Sequence, residues 1–251
     1  MPGTVQIRFY EELNDFLPPE RRKVAFEQRF KQQGSIKDMI EALGVPHTEV
    51  DLILVNGRSV DFDYAVQDGD RVSVYPVFES LDITPVTRLR PVPLRTTRFI
   101  LDTHLGRLAA YLRLFGFDTL YRNDYDDRTL ADTSAGEHRI LLTRDKQLLM
   151  RKQITHGYYV RATHPQKQLL EVLTRFDLRK TQHPFTRCMH CNGAIVPAAK
   201  EEIESRLSPR TGAWYDEFWQ CARCRKIYWK GSHYRRLQQL VAAINDSGGS
   251  G

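Results

Sequence analysis

The sequence predicts an α/β protein in which a parallel sheet with helices on both faces follows a small α+β domain and precedes a zinc ribbon. Three observations predict it. After residue 98, apolar strand-like runs alternate with amphipathic helices, an order that gives parallel strands covered on both faces. Before residue 80, strand patterns outnumber the single helix pattern, which is typical of an α+β fold. Near the C-terminal end, four cysteines form two Cys-x-x-Cys pairs.

The N-terminal third has strand patterns and turn signals in regular succession. The strand patterns cover residues 5–10, 52–55 and 71–77. Ser35 stands where it can cap a helix of apolar residues at helical spacing. The dipeptides Asn56-Gly57 and Asp68-Gly69 are turn signals between apolar runs. Strands, one helix and tight turns in so short a stretch predict one small domain.

A change of composition separates this domain from the rest of the chain. Residues 81–98 contain three prolines and four arginines without a helical period, which predicts a linker or a segment packed in extended form along a neighbour. The sequence therefore predicts five segments: an α+β domain at 1–80, a linker at 81–97, an α/β domain at 98–180, a zinc ribbon at 181–244 and a flexible tail at 245–251.

Charge is distributed unevenly along the chain. Residues 1–80 hold 9 Lys/Arg and 14 Asp/Glu, whereas residues 81–251 hold 28 and 17. The basic part indicates a polyanionic partner such as RNA, with ordinary solvated surface as the alternative. No run approaches the roughly 18 apolar residues that span a membrane. Residues 1–16 lack the pattern of a secretory signal, so we expect a cytoplasmic protein.

The four cysteines carry the most specific signal. They are Cys188, Cys191, Cys221 and Cys224. Each pair places two thiolates on one tight turn, and two such turns complete a tetrahedral zinc site. The 29 residues between the pairs predict a longer hairpin or a helical insert. Four thiolates fill the coordination sphere of zinc, so this ion would stabilise structure and not activate water. His190 is an alternative ligand inside the first turn.

Acidic residues follow the predicted strands of the α/β domain. Asp102 ends the strand at 99–102, Asp145 follows the strand at 139–143, and Asp127 stands where an N-cap would start a helix. The carboxyl ends of parallel strands form the usual ligand-binding edge of such a sheet. Carboxylates gathered there suit magnesium or manganese. The alternative is that each acid caps a helix or pairs with a nearby arginine.

These segments resemble a known family. The stretches FILDTHLGRLAAYLRLFGFDTLYRND, DDRTLAD and RILLTRDKQLL resemble the PIN-like RNase family named for the C-terminal domain of the Mut-seven exonucleases, and RCMHCNGAIVP with EFWQCARCRKIYWKGSHYRRL is similar to its zinc ribbon. The resemblance implies a PIN-like fold, a divalent metal and cleavage of RNA. It gives Asp102, Asp127 and Asp145 the places of family acids. It finds no match for a fourth acid, and Gln147 follows the TRD motif where some relatives have one.

The N-terminal third has its own resemblance. LVNGRSVDFDYAVQDGDRVSVYPV resembles the ubiquitin-like, β-grasp sulfur carriers. Those carriers need a free C-terminal Gly-Gly, whereas this chain continues through Phe78-Glu79-Ser80 into the linker. We therefore expect no sulfur transfer, and a domain that docks a protein partner or its own nuclease domain.

Two hypotheses about function follow. The first is an enzyme that hydrolyses phosphodiester bonds of RNA, most readily single-stranded RNA, at a cation held by the three acids. Its candidate phosphate contacts are Arg113, Arg144, Lys146, Arg235 and Arg236. The second is a non-catalytic adaptor for RNA or the ribosome, in which the aromatic and basic residues of the zinc ribbon bind single strands. Trp219 is expected in the core of the ribbon, and Trp229 suits either the core or the RNA.

Overall fold

The computed structural model describes residues 2–76, Leu89 and 97–246. The predicted linker lies outside the described residues except for Leu89 and Thr97, as does the tail after Asp246. The chain forms two compact units, one of Met1–Thr96 with Asp126–Tyr159 and one of Thr97–Tyr125 with Val160–Gly251. None of the described helices has the length and apolar character needed to cross a membrane.

The N-terminal part of the first unit is a mixed five-stranded sheet with one helix. Its elements are β1 (Gly3–Phe9), β2 (Phe26–Phe30), α1 (Ile36–Ala42), β3 (Val50–Val55), β4 (Arg58–Val60) and β5 (Arg71–Pro76), with 3-10 helices at Glu11–Phe16, Pro19–Arg21 and His47–Glu49. The strand order is β2-β1-β5-β3-β4, with β1 parallel to β5 and the other pairs antiparallel. This α+β arrangement confirms the predicted class of the domain.

Local signals explain where these elements begin and turn. The Ser35 hydroxyl accepts a hydrogen bond from the Asp38 backbone N–H at 3.1 Å, so the predicted helix cap is confirmed. Asn56 and Gly57 both have positive φ, 51° and 79°, which a tight hairpin between β3 and β4 requires. Apolar residues of the sheet and of α1 meet in one buried core, which includes Ile7, Phe9, Ile36, Ile40 and Ile53.

The α/β region follows in both units. Its elements are β6 (Arg98–Leu101), α2 (Gly106–Leu114), β7 (Asp118–Leu120), α3 (Asp127–Glu137), β8 (Ile140–Thr143), α4 (Lys146–Leu149), β9 (Gly157–Tyr159) and α5 (Pro165–Arg175), with a 3-10 helix at Thr103–Leu105. β6 and β7 pair in parallel in the second unit, and β8 and β9 pair in parallel in the first. Parallel strands flanked by helices confirm the predicted α/β class.

The C-terminal part of the second unit is a small antiparallel sheet with short helices. Its elements are β10 (Ile195–Ala198), α6 (Lys200–Ile203), a 3-10 helix (Glu204–Arg206), α7 (Pro209–Trp214), β11 (Phe218–Cys221), β12 (Ile227–Trp229) and α8 (Ser232–Asp246). The strand order is β10-β11-β12. The helices between β10 and β11 are the insert that the spacing of the cysteines predicted. α8 includes Asn245 and Asp246, the first two residues of the expected tail.

In the first unit, the N-terminal sheet packs against the segment that carries β8, α4 and β9. The backbone N–H of Tyr159 donates to Glu49 Oε1 at 2.6 Å. His47 Nε2 donates to the backbone carbonyl of Ile154 at 2.8 Å, and His47 Nδ1 lies 2.6 Å from Glu41 Oε1. Glu49 and His47 are both buried. The N-terminal α+β domain therefore contacts part of the α/β region, one of the two docking modes expected for it.

Candidate functional site

The four cysteines form a cluster that can hold a metal ion. Their Sγ atoms all lie within 4.8 Å of one another. The Sγ atoms of Cys188 and Cys224 are 3.6 Å apart, and those of Cys191 and Cys221 are 3.4 Å apart. In a tetrahedral site with Zn–S bonds of roughly 2.3 Å, neighbouring sulfurs stand about 3.8 Å apart. The cluster therefore fits zinc, as the spacing of the cysteines predicted.

Both cysteine turns have the same backbone design. In the first, the Cys188 N–H donates to the carbonyl of Gly193, and the Asn192 N–H donates to the carbonyl of Cys188. The second turn repeats both bonds, from Cys221 to Lys226 and from Arg225 to Cys221. Asn192 and Arg225 each have positive φ, 68° and 62°, directly after the second cysteine of their pair. Each turn thus presents its two thiolates by its own backbone.

The thiolates are surrounded by hydrogen-bond donors. The backbone N–H groups of Arg223 and Cys224 both donate to Cys221 Sγ at 3.4 Å. The Tyr228 hydroxyl lies 3.0 Å from Cys188 Sγ. Burial raises the pKa of Cys188, but the Tyr228 hydroxyl and nearby backbone N–H groups outweigh it and lower this pKa to about 7. These donors stabilise the thiolate form of Cys188, the form that binds zinc, whereas burial raises the pKa values of Cys191 and Cys224.

There is no room for a side chain at the glycine that follows the first cysteine turn. A Cβ atom at Gly193 would lie 2.8 Å from Cys221 Sγ and 3.4 Å from Cys191 Sγ. The backbone of one turn thus touches the sulfur of the other. Four cysteine ligands fill the coordination sphere of zinc, which is typical of a structural site and not of a catalytic one.

Two residues tie the first cysteine turn to the α/β elements of the second unit. Arg113, on α2, donates through Nη1 to the carbonyls of Met189 and His190, at 3.1 and 2.9 Å, and through Nε to that of Thr119 at 2.9 Å. Asn192 accepts from the Thr119 N–H at 3.0 Å, and its amide donates to Asp118 at 2.8 Å. The turn is therefore fixed to α2 and β7.

These contacts bear on the role expected for Arg113. Its guanidinium is buried, and burial lowers its pKa. A phosphate contact by Arg113 stays a prediction, whereas its bridge to the cysteine turn is a structural finding. Sequence reasoning counted Tyr228 among the aromatic residues of the ribbon but not as a neighbour of Cys188, and it did not identify Asn192. Asn192 could have been found from its place directly after the Cys-x-x-Cys pair, because asparagine tolerates positive φ.

Asp102 follows β6 directly and is buried. Its Oδ1 accepts from the Thr103 N–H at 2.5 Å and from the Thr103 hydroxyl at 3.2 Å, so it caps the 3-10 helix that begins there. The Tyr121 hydroxyl donates to the Thr103 carbonyl at 2.9 Å and fills the space where a Cβ of Gly106 would stand. Tyr121 therefore packs against the turn that presents Asp102.

Asp145 lies two residues after β8 and is exposed. Its Oδ1 accepts from the N–H groups of Gln147 and Leu148, at 2.8 and 3.4 Å, and so caps α4. Its own N–H donates to the Thr143 hydroxyl at 2.9 Å, which fixes the turn out of the strand. Asp145 Oδ2 has no hydrogen-bond partner among the residues that the structure describes. One oxygen of this carboxylate is therefore committed to the helix and the other is available.

Asp127 is the first residue of α3 and not its cap, so the predicted N-cap position was wrong by one residue. The cap is Asp126, which accepts from the Thr129 N–H at 2.7 Å. Asp127 Oδ2 instead pairs with Arg151 Nη2 at 3.0 Å, and both side chains are exposed. Exposed ion pairs contribute little to stability, about 0–1 kcal/mol. The helix therefore does not need the carboxylate of Asp127 as a cap.

The cations expected to bind phosphate occupy different surroundings. Lys146 Nζ lies 4.8 Å from the ring centre of Phe16 and 5.9 Å from that of Tyr159, so its ammonium rests on aromatic faces within the first unit. Arg144, in the same turn, is half-buried. Arg235 and Arg236 are exposed near the start of α8. The binding role of each stays a prediction.

Two family models match parts of the chain. A model described as Mut7-C RNAse domain matches residues 97–241, and one described as Mut7-C ubiquitin matches residues 2–82. No curated protein and no solved structure matches the chain. The first model indicates a ribonuclease-type function with RNA as substrate, and the second indicates protein interaction. Because the first model covers more than half of the 251 residues, the chain belongs to the Mut7-C RNAse domain family.

Proposed function

We propose that this protein is a divalent-metal-dependent ribonuclease that hydrolyses phosphodiester bonds of single-stranded RNA. The observation that carries the proposal is the RNase family match over the segment in which parallel strands end at acids. Asp102 follows β6 and Asp145 follows β8 within residues 97–241. Acids at the carboxyl ends of parallel strands occupy the edge where α/β proteins bind their ligands.

The proposed cation site consists of the carboxylates of Asp102, Asp127 and Asp145, which would hold magnesium or manganese. The donor set suits these ions, because both prefer carboxylate oxygens. The capping and ligand roles are compatible, since Asp145 uses Oδ1 for α4 and keeps Oδ2 available. When bound, such an ion supplies an activated water and neutralises charge on the phosphodiester.

The chain's own cations would orient the RNA. Arg144 and Lys146 lie in the same turn as Asp145, so we assign them to phosphates next to the scissile bond, with Arg113 as a further candidate. Arg235 and Arg236 would hold phosphates farther along the strand. Residues 81–251 carry an excess of basic over acidic residues, 28 against 17, which supports binding of a polyanion.

A second function, an RNA- or ribosome-binding adaptor without catalysis, is favoured by one observation. By the resemblance to the family, the chain has no match for a fourth acid, and Gln147 stands where some relatives have one. In this case the zinc ribbon and basic surface would bind RNA while the α/β fold served as a scaffold. With either function, we propose that free surface of the ubiquitin-like domain binds a protein partner. Four thiolates that bind zinc need a reducing compartment, which supports the cytoplasmic location we propose.

Cleavage of labelled single-stranded RNA, with and without added manganese or magnesium, tests the enzyme. We expect cleavage only with added metal, and its loss in Asp145→Asn. Manganese should also raise the melting temperature of the wild type and not of that variant. Metal is added and not chelated, so that the zinc cluster stays intact. Metal-independent RNA binding without any cleavage would contradict the enzyme and support the adaptor.

A further inference from the structure

Beside the zinc cluster, the second unit contains a groove of about 640 Å³. The first cysteine turn, β12 and the start of α8 contribute to its walls. Five aromatic side chains line it beside aliphatic ones: Phe185, Trp219, Tyr228, Trp229 and Tyr234. Tyr228 also contacts Cys188, so the wall of the groove and the metal site share a residue. The groove therefore lies directly beside the metal site.

Among the five aromatic residues of the groove, Trp229 is the most exposed. Its side chain is 38% exposed, whereas those of Trp219 and Tyr234 are half-buried. Its indole is nevertheless held in place, because a Cβ at Gly231 would lie 2.7 Å from its Nε1. The ring of Tyr215 packs against it with centres 6.5 Å apart. A fixed and accessible indole is a platform on which another flat ring can stack.

The groove is complementary to an anionic ligand. Its described lining includes Arg187, Lys226 and Lys230 and no carboxylate. Arg187 donates to the carbonyls of Gly116 and Asn192, so it serves the fold. Lys230 lies 5.1 Å from the ring centre of Trp219 and pairs with the exposed Glu217. Lys226 is exposed, and its ammonium has no partner among the described residues. It is therefore the cation at the groove with the most freedom to contact a ligand.

We infer that this groove binds unpaired bases of single-stranded RNA, with one base stacked on Trp229 and a neighbouring phosphate held by Lys226. Aromatic platforms beside cations are how proteins hold single strands without reading their sequence. A duplex keeps its base faces stacked inside, so it offers no ring to the indole. The inference rests on the proposed function only in taking RNA as the ligand, because binding at this groove requires no cleavage.

The test uses two tryptophan variants of the full-length protein. Trp229→Ala removes the proposed platform, and Trp214→Ala is the matched control, since Trp214 is 74% exposed in the same ribbon but does not line the groove. A labelled single-stranded oligonucleotide of RNA and its duplex are titrated without added divalent metal. We expect Trp229→Ala to weaken single-strand binding about tenfold or more, and Trp214→Ala to leave it within twofold. Trp229→Tyr should recover most of the affinity.

Fluorescence and zinc content decide between the remaining outcomes. RNA should quench tryptophan emission in wild type and in Trp214→Ala, and much less in Trp229→Ala. If Trp229→Ala loses zinc, Lys226→Glu at its exposed position decides instead, with weaker binding expected. Affinity unchanged by that variant or by a folded Trp229→Ala would overturn the inference and leave the groove to an apolar peptide. If these variants cleave RNA and bind it as the wild type does, the ribonuclease is supported and the groove inference is not. If binding depends on the groove but no cleavage occurs, the groove inference is supported and the ribonuclease is not.

Discussion

The cysteine cluster and the three acids differ in what holds their ligand atoms. Each cysteine pair lies on a turn whose backbone bonds recur in the other pair, and all four Sγ atoms lie within 4.8 Å. Each acid instead lies at the start of a different helix. Asp102 and Asp145 cap theirs, and Asp127 pairs with Arg151. The cysteines therefore serve the metal site, whereas Asp102 and Asp145 also stabilise the helices that they cap.

The two sets also rest on different neighbours. The first cysteine turn is tied to α2 and β7 by Arg113 and Asn192, and all four cysteines lie within the second unit. Asp145 belongs to the first unit, where its neighbour Lys146 rests on Phe16 of the ubiquitin-like domain. We therefore expect the stability of the cysteine cluster to depend on its metal. The stability of the segment that carries Asp145 should also depend on its contacts with the N-terminal domain.

The largest expected effect is on the cysteine side. Cys188→Ala should reduce zinc from about one equivalent per chain to nearly none and unfold the ribbon, because binding of structural zinc contributes on the order of 10 kcal/mol to folding. Elemental analysis and a thermal melt measure the two changes. His190→Ala, in the same turn but exposed, should keep both the zinc and the melting temperature. A well-folded Cys188→Ala protein without zinc would show that the cluster is not a structural metal site.

Two adjacent acids at the start of α3, Asp126 and Asp127, should differ in their effect on cleavage. Asp127→Asn should lower cleavage per folded molecule by about a hundredfold or more, since metal catalysis depends on interactions worth several kcal/mol. Asp126→Asn should cut normally, because Asn caps a helix as well as Asp does. The melting temperatures of both variants should stay close to wild type. Equal cleavage by the two variants would mean that Asp127 contributes only its ion pair with Arg151.

Most local structure could be predicted, because its signals lie within a few residues. The Ser35 cap, the Asn56-Gly57 hairpin and the helical insert between the cysteine pairs are all confirmed. Two strands of the N-terminal sheet were not predicted. β2 (Phe26–Phe30) has too few apolar residues for a clear strand pattern, and β4 (Arg58–Val60) has only three residues. The cap of α3 was misplaced because two neighbouring acids can both serve, and only the backbone decides between them.

Long-range contacts explain what the sequence could not predict of the site. Arg113 bonds to a carbonyl 77 residues away at His190, and Tyr228 meets Cys188 across 40 residues. Neither partner is indicated by spacing, because tertiary packing alone brings them together. The cysteine cluster was predictable since paired turns encode it locally. The acids depend on where separate strands end, and their shared cation site stays a proposal.

A smaller effect is expected where the N-terminal domain packs against the segment that carries Asp145. A change there should lower stability without affecting the cysteine cluster. Glu49→Ala removes the acceptor of the Tyr159 N–H and should lower the free energy of unfolding by about 1–3 kcal/mol, the usual cost of an unpaired buried donor. Zinc content should not change, since the cysteines lie in the other unit. Denaturant unfolding followed with elemental analysis measures both. Glu27→Ala, exposed on β2, is the control, with an expected change within about 0.5 kcal/mol.

The smallest effect concerns single phosphate contacts on α8, in the same unit as the cysteine cluster. Affinity for single-stranded RNA should fall steeply between about 50 and 200 mM salt, because phosphates that bind cations release counterions. Arg235→Ala and Arg236→Ala should each reduce the slope of log K against log salt by about 0.7, the value for one contact with a single strand. Arg210→Ala, exposed on α7, is the matched control and should keep the wild-type slope. Zinc content and cleavage at saturating RNA should stay unchanged in all three variants, because none of these residues belongs to either proposed metal site. If the two α8 variants kept the wild-type slope while Arg144→Ala reduced it, the phosphate contacts would lie next to Asp145. α8 and the zinc ribbon would then stabilise the fold without contacting the RNA.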